Sequence, residues 1–120
     1  MLDILKTLLQ SRSASEPHYL ATTGWLSDTS PETLGANYAE YSSRHAAARD
    51  ELESLLGPAE RALPRDEDWF AVWYPEAFAA AVWRCEGKYV CLAAEHHDKE
   101  APISLALFCL TKAELAERAG

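Results

Sequence analysis

The stretch FAAAVWRCEGKYVCLAAE, from Phe78 to Glu95, contains two apolar runs joined by Glu86-Gly87. A two-residue connection with glycine in its second place is typical of a β-hairpin. The turn sets the register of the two strands, which places Trp83 opposite Val90 on one face and the intervening pairs on the other. Both faces are apolar. We therefore expect a sheet that is covered on each side by helices or by a partner.

The remaining strands extend this hairpin into a three- or four-stranded antiparallel meander. Ile103 to Leu110 alternates as a further strand. The aromatic and β-branched run from Trp69 to Tyr74 is also predicted to be a strand, closed by Pro75. Alanine favours helix, so Ala77 to Ala81 has a helical alternative, although we prefer the strand. The fold class expected is α+β.

One long helix is predicted over Ser30-Leu56. Ser30 is a candidate N-cap and Pro31 suits the first helical position. Gly57-Pro58 ends the helix. His45 lies within the apolar stripe, where we expect a hydrogen-bonded core residue instead of a ligand. The stripe recurs in steps of three and four, and its members are Leu34, Tyr38, Tyr41, His45, Ala48, Leu52 and Leu55.

The other segments give weaker signals. Leu2 to Leu9 is predicted to form a short amphipathic helix, and a capping box at Thr111 to Glu114 opens a short C-terminal helix. Ser11 to Ser15 is expected to be a loop, and His18 to Asp28 irregular structure around Trp25. We expect the long helix on one face of the sheet, and the first helix or the Trp25 segment on the other. Between Gly57 and Asp68, a helical turn is expected around Ala59 to Leu63.

Length and composition indicate one soluble domain over residues 1–120. The chain is 48% hydrophobic and 25% charged, and its longest apolar run is too short and interrupted to span a bilayer. A net charge of -8 repels phosphate backbones and anionic lipid, so we expect no nucleic-acid or membrane partner, and a basic protein partner instead. The N-terminus has an acid where a secretory signal needs a base, which predicts a cytoplasmic location.

The acidic surplus is concentrated in one segment. Between Asp50 and Asp68 there are seven acids against two arginines. We expect the run Asp66-Glu67-Asp68 to be exposed beside Trp69. Aromatic residues beside carboxylates form hot spots for basic partners. The candidate partner-binding residues are Asp66, Glu67, Asp68, Trp69, Trp25, Glu95, Asp98 and Glu100.

The run EHHDKE, from Glu95 to Glu100, resembles a chemical site most closely. We predict that it is a solvated hairpin loop. In a strand, His96 and His97 would point to opposite faces, which hinders convergence on a metal ion. No metal or cofactor is expected. The cysteines, which are Cys85, Cys91 and Cys109, lie in apolar runs and are predicted to be buried thiols. No known catalytic motif is present, so we do not expect an enzyme.

A small acidic α+β chain with an acid run beside tryptophan resembles the immunity proteins of interbacterial toxin systems. The resemblance is one of type and covers the whole chain, without a matched motif. It implies a protein that inhibits a cognate toxin by occluding its active cleft. Two alternatives stay open: a secretion chaperone or adaptor that binds an extended peptide, and a small metal-dependent enzyme that uses the Glu95 to Glu100 loop.

Overall fold

The computed structural model describes residues 1–10 and 16–119, and within those ranges it contains four helices and five strands. In chain order these are α1 (Leu2–Leu9), β1 (His18–Thr22), α2 (Pro31–Leu56), β2 (Arg61–Ala62), α3 (Glu67–Trp73), β3 (Ala77–Cys85), β4 (Lys88–His96), β5 (Ile103–Thr111) and α4 (Lys112–Ala119). The α+β class is confirmed, and the described residues form more strands than the three or four predicted. The loop predicted at Ser11 to Ser15 lies outside the described residues.

The five strands form one antiparallel sheet in the order β1-β5-β4-β3-β2. The β3–β4 hairpin has the predicted register, with Trp83 opposite Val90. Its turn needs positive φ at both residues, and Glu86 and Gly87 have φ of 52° and 78°. The strand prediction for Ala77 to Ala81 is confirmed, because long-range pairing with β4 outweighs the helical preference of alanine.

Each face of the sheet is covered by a pair of helices. Leu5 of α1 and Leu52 of α2 pack with Trp83 and Leu92 on the first face. On the second face, residues of α3 and α4 pack with β-sheet residues in another cluster, whose buried members are Phe70, Trp73, Tyr74, Ala80, Val82, Cys91, Ala93, Ala106, Phe108, Leu110 and Leu115. The expectation that the first helix or the Trp25 segment covers the second face was therefore wrong.

The segment Trp69 to Tyr74 was predicted to be a strand and is largely helix α3. Its buried residues are Phe70, Trp73 and Tyr74, whereas the two residues between Phe70 and Trp73 are exposed. That spacing is helical, since strand neighbours would alternate between faces. Aromatic composition favoured a strand, but the burial of one helical face decided the structure.

Two short strands were missed because both depend on distant partners. His18 to Asp28 was predicted to be irregular, yet β1 lies within it and pairs with β5. The helical turn expected around Ala59 to Leu63 is instead β2, which pairs only with Ala81 and Val82 of β3. Neither segment is long enough to carry its own periodic signal.

Helix α2 begins and ends where the sequence predicts. The Thr33 backbone N–H donates to Ser30 Oγ at 3.3 Å, and Pro31 occupies the first turn. At the C-terminal end, Gly57 has a φ of +86° and its N–H donates to the Glu53 carbonyl at 2.8 Å. The α4 cap is similar, because a threonine hydroxyl accepts from the third residue after it.

The apolar stripe of α2 packs on the core except at its last member, although Leu34 and Tyr38 are only partly buried. Tyr41, Ala48 and Leu52 are buried, whereas Leu55 was predicted to be buried and is 42% exposed. His45 is buried and its Nε2 lies 3.2 Å from the Leu92 carbonyl oxygen, as expected for a hydrogen-bonded core histidine. In the last turn the position facing the core is Leu56, four residues after Leu52, which is partly buried against the same cluster, and Leu55 therefore lies to the side of the stripe.

The cysteines lie in the sheet. Cys91 and Cys109 are buried, and Cys85 is half-buried. Burial raises the pKa of the Cys85 thiol, and burial raises that of Cys109 to about 11. A raised pKa opposes formation of the thiolate nucleophile.

Among the helices described here, none is both long enough and apolar enough to cross a membrane.

Leu52 and Leu55 form a matched pair on one helix. Leu52→Ala should lower the free energy of unfolding by roughly 2 to 5 kcal/mol, because Leu52 is fully buried and its removal leaves a cavity. Leu55→Ala should cost less than about 1 kcal/mol. Denaturant titration of both variants measures the difference. Equal costs would mean that the packing of α2 is misassigned.

His45 should make stability depend on pH. Burial lowers its pKa from 6.5 to about 4, only partly opposed by the hydrogen bond to Leu92. Between pH 6.5 and about 4 the unfolded chain binds a proton that the folded chain does not, so stability falls as the pH falls through that window. The loss should reach roughly 3 kcal/mol.

His45→Gln is the control, since glutamine can donate to the Leu92 carbonyl but does not titrate. Unfolding free energies of both proteins at pH 7 and pH 4.5 should show a smaller loss for the variant. An identical loss in the two proteins would contradict the assignment.

Candidate functional site

The predicted partner-binding residues fall into two groups. Asp66, Glu67, Asp68 and Trp69 lie at the start of α3. Trp25, Glu95, Asp98 and Glu100 lie at the other end, around the connection from β4 to β5. The aromatic residues of α3 join the two groups, because Trp69 contacts Trp73 at 5.1 Å between ring centroids, and Trp73 contacts Tyr74 at 5.3 Å.

Asp66 stabilises the connection between β2 and α3. It was expected to be exposed, but its side chain is only 16% exposed. Its Oδ2 accepts from the Ala62 backbone N–H at 2.9 Å, and its carboxylate forms ion pairs with Arg61 at 3.3 Å and Arg65 at 3.0 Å. The hydrogen bond to Ala62 is the main reason that its pKa lies below the ordinary value. Its charge is therefore used within the protein.

Trp69 is half-buried and already has a cationic neighbour. The Arg61 guanidinium lies 5.3 Å from the centre of its ring, within cation–π distance. Its ring also contacts Phe70 and Trp73 edge-on. A partner would have to displace Arg61 to use this ring face. Glu67 and Asp68, in contrast, are exposed.

Asp66 and Asp68 can be compared by the same substitution. Asp66→Asn should lower the melting temperature, because it removes the charge that pairs with Arg61 and Arg65 and weakens the bond to the Ala62 N–H. Asp68→Asn should leave the melting temperature nearly unchanged, since Asp68 is exposed. Thermal unfolding at pH 7 checks both. Equal shifts would show that Asp66 has no special structural role.

The second group surrounds Trp25, which is 80% exposed. The segment carrying Trp25 is fixed by backbone hydrogen bonds on both sides of it: Thr23 N–H donates to the Ile103 carbonyl at 3.0 Å, and Leu26 N–H donates to the Glu100 carbonyl at 2.9 Å. These bonds place Trp25 beside the β4–β5 loop. A large aromatic ring is thus held in solvent by a fixed backbone.

The EHHDKE run is only partly a loop. Glu95 and His96 belong to β4, so the predicted solvated loop begins at His97 instead of Glu95. Within the loop, Asp98 Oδ1 accepts from the Lys99 N–H at 2.7 Å, and the Ala101 N–H donates to the Asp98 carbonyl at 3.0 Å, which closes a turn. Glu95 was expected on an exposed surface, but it is 5% exposed. It is buried because residues at the odd-numbered positions of β4 face α3.

The two histidines point to opposite faces, as the strand geometry predicted. His96 faces α2, where its Nδ1 lies 2.6 Å from the Tyr38 hydroxyl oxygen. Its Nε2 is buried without a hydrogen-bond partner in the described part of the chain. His97 lies on the α3 side, where its Nε2 is 3.3 Å from Glu95 Oε2. The pair therefore cannot bind one metal ion.

Glu95 is the centre of a polar group beneath α3. The Tyr74 hydroxyl donates to Glu95 Oε2, and His97 contacts the same oxygen. Glu76 Oε1 lies 4.0 Å from His97 Nδ1 at the surface. Burial, together with the bond to Glu95 and its negative charge, raises the pKa of Tyr74 above its ordinary value. Tyr74 therefore remains a neutral donor to the carboxylate.

These residues line a cleft of about 270 Å³, which we call the Glu95 cleft. Its lining consists of Pro17, Tyr19, Trp73, Tyr74, Glu76, Glu95, His97 and Phe108. Sequence reasoning missed Tyr19, Tyr74 and Glu76. The sequence did offer one indication of this cleft. Glu95 and His97 are two residues apart at the end of a strand, so they are expected to lie on the same face of the sheet. The contribution of Tyr74 could not be found from a segment predicted to be a strand.

The compensation of charge differs between the two groups. Near α3, Asp66 pairs with two arginines and Glu60 pairs with Arg84 at 3.0 Å. Around the β4–β5 loop there are four carboxylates, and within residues 1–10 and 16–119 the only basic side chain at ion-pair distance from any of them is His97, at 3.3 and 4.0 Å, which is charged only when protonated. These carboxylates are Glu76, Glu95, Asp98 and Glu100. The less compensated negative charge therefore lies at this end of the sheet.

The cleft has part of a catalytic arrangement but lacks a serine, threonine, cysteine or lysine nucleophile. A buried carboxylate oriented against a histidine is how a general base is held. None of the eight lining residues is serine, threonine, cysteine or lysine. Across the described ranges, no group of three or more His, Cys, Asp and Glu side chains is placed to hold a metal ion. The arrangement is suited to binding a positively charged group.

Comparison of this chain with protein-family models, curated proteins and solved structures gave no match.

Proposed function

We propose that this protein binds a basic protein partner and blocks the partner's active cleft, as immunity proteins do with their toxins. The binding surface would be the sheet-end surface, defined here as Trp25, the loop from His97 to Pro102, and the carboxylates Glu76 and Glu95. The exposure of Trp25 beside this loop is the observation that carries the proposal. Tryptophan is enriched among the residues that dominate binding energy at interfaces.

The charge of the sheet-end surface supports a basic partner. Its carboxylates have little compensation within the protein, so their field reaches solvent. Long-range attraction would speed association with a basic surface. The apolar ring of Trp25 would then be desolvated in the complex and would slow dissociation. Charge and ring thus have separable kinetic roles.

A second candidate function is that of a secretion chaperone for an extended peptide. An apolar groove of about 620 Å³ lies between α3 and β3, and its lining includes Leu63, Phe70 and Phe78. Because β2 pairs only with Ala81 and Val82, the described chain provides no strand beside the outer edge of Ala77 to Ala79. Sheet edges of this kind can accept an extended peptide as an additional strand.

The test begins with affinity capture of the partner from lysate of the source cell, followed by binding kinetics with the purified partner. Trp25→Ala should increase the dissociation rate by a factor worth about 2 kcal/mol or more. Reversing Asp98 and Glu100 to lysine should slow association and flatten its dependence on salt. Addition of the protein should abolish the activity of the partner.

The matched control reverses Asp50 and Glu51 to lysine. Both are exposed on α2, and Asp50 lies about 18 Å along the helix from Tyr38, which contacts the sheet end. This control changes the net charge by the same amount as the reversal of Asp98 and Glu100. If the sheet-end surface is the binding site, the control should slow association less than the reversal in the loop does. An acidic partner, or unchanged kinetics with Trp25→Ala, would contradict the proposal. Loss of binding on Ala71→Arg, which obstructs the groove, would favour the chaperone.

A further inference from the structure

The Glu95 cleft contains a buried carboxylate, and only one of its two oxygens has hydrogen-bond partners among the described residues. Glu95 is 5% exposed, and both of its contacts, from the Tyr74 hydroxyl and from His97, involve Oε2. Oε1 has no hydrogen-bond partner among the described residues, and it is not one of the side-chain atoms that are both unpartnered and sealed from solvent. A carboxylate can accept about four hydrogen bonds, so acceptor capacity remains.

The walls of the cleft are aromatic. Tyr74 and Phe108 have ring centroids 5.9 Å apart, and Trp73 packs edge-on against Tyr74. Tyr19 is an exposed member of the lining. Aromatic faces attract cations, and the attraction grows when the cation is desolvated. Glu76 adds a second carboxylate at the mouth. Charge and rings therefore favour the same kind of ligand, an organic cation.

The size of the cleft restricts the ligand further. About 270 Å³ lies just below the range of pockets that enclose a drug-sized molecule, but it can hold a single side chain. A bare divalent cation fits less well, because the described residues offer no group of three or more metal ligands here. A guanidinium is flat, stacks on rings and donates to a carboxylate through several N–H groups.

We propose that the Glu95 cleft binds one arginine side chain of the basic partner, with the guanidinium donating to Glu95 Oε1 and lying against the aromatic wall. This assignment rests on the proposed function, whose partner it describes more closely. Tyr74 acts as a positioning residue, since its hydroxyl occupies Oε2 and directs Oε1 to the ligand. Glu76 attracts the incoming charge at the mouth.

The test uses a small probe and no partner protein. N-acetyl-arginine methylamide is titrated into the full chain at pH 7, and binding is followed by NMR of the backbone and indole N–H groups. Saturable shifts are expected at Trp73, Tyr74, Glu95 and His97. The indole of Trp83, which is buried on the other face of the sheet, should not move. The matching citrulline derivative, which has the same shape without the charge, should not bind.

The substitutions test the two carboxylates separately. Glu95→Gln should weaken binding of the arginine probe by at least about tenfold, because a charged hydrogen bond is lost. Glu76→Gln should weaken it by roughly two- to fivefold, as expected for a partly exposed charge, and Glu51→Gln should have no effect. If Glu95→Gln does not fold, the Glu76 variant and the position of the shifts still decide the matter.

Three results would overturn the assignment of the cleft: no saturable binding of the arginine probe, equal binding of the citrulline derivative, or shifts confined to residues outside the cleft. These failures can be distinguished from failure of the proposed function. A negative titration combined with Trp25-dependent binding of a basic partner removes the arginine site alone. A positive titration with no such partner leaves the site and removes the inhibitor.

Discussion

The structure depends on one constraint, which is that the β3–β4–β5 core of the sheet is apolar on both faces. Residues from Val90 to Ala94 are fully buried, so neither side of β4 can face water. Two helices cover each face, and together they account for all four helices in the described ranges. Stability comes mainly from this double burial, because apolar area removed from water is the dominant favourable contribution.

Local signals in the sequence predicted the parts of the fold that local forces determine. The Glu86-Gly87 turn specified the hairpin register, and the Ser30 cap with Gly57 specified α2, since each depends on neighbouring residues. The sequence could not predict β1 and β2, because short edge strands form only when a distant strand is available. The prediction for Trp69 to Tyr74 was also wrong. Its composition favours a strand, but the segment forms α3, in which the buried residues have helical spacing.

The candidate site was predictable to the same extent. The sequence identified Trp25 and Glu95, but not the depth of Glu95 or the residues brought to it by α3. Tyr74 lies three residues before Ala77, which pairs with Glu95 in the sheet, so its contact with Glu95 depends on long-range strand pairing. Conversely, Asp66 was predicted to bind a partner because it lies in an acidic run beside tryptophan. Its contacts with Ala62, Arg61 and Arg65 are instead structural. The sequence shows that a carboxylate is present, but it does not show which groups within the protein already contact it.

The position of Glu95 connects stability to the proposed function. Burying a carboxylate costs free energy unless hydrogen bonds and charges replace its hydration, and a neutral residue at such a site is often no less stable. Here one oxygen of Glu95 receives both available contacts, and the other has no partner in the described chain. A purely structural carboxylate would be expected to have both oxygens satisfied, as Asp66 does through Ala62, Arg61 and Arg65. The two residues are chemically similar, so the difference in their contacts separates a carboxylate that fixes the chain from one that is available to a ligand.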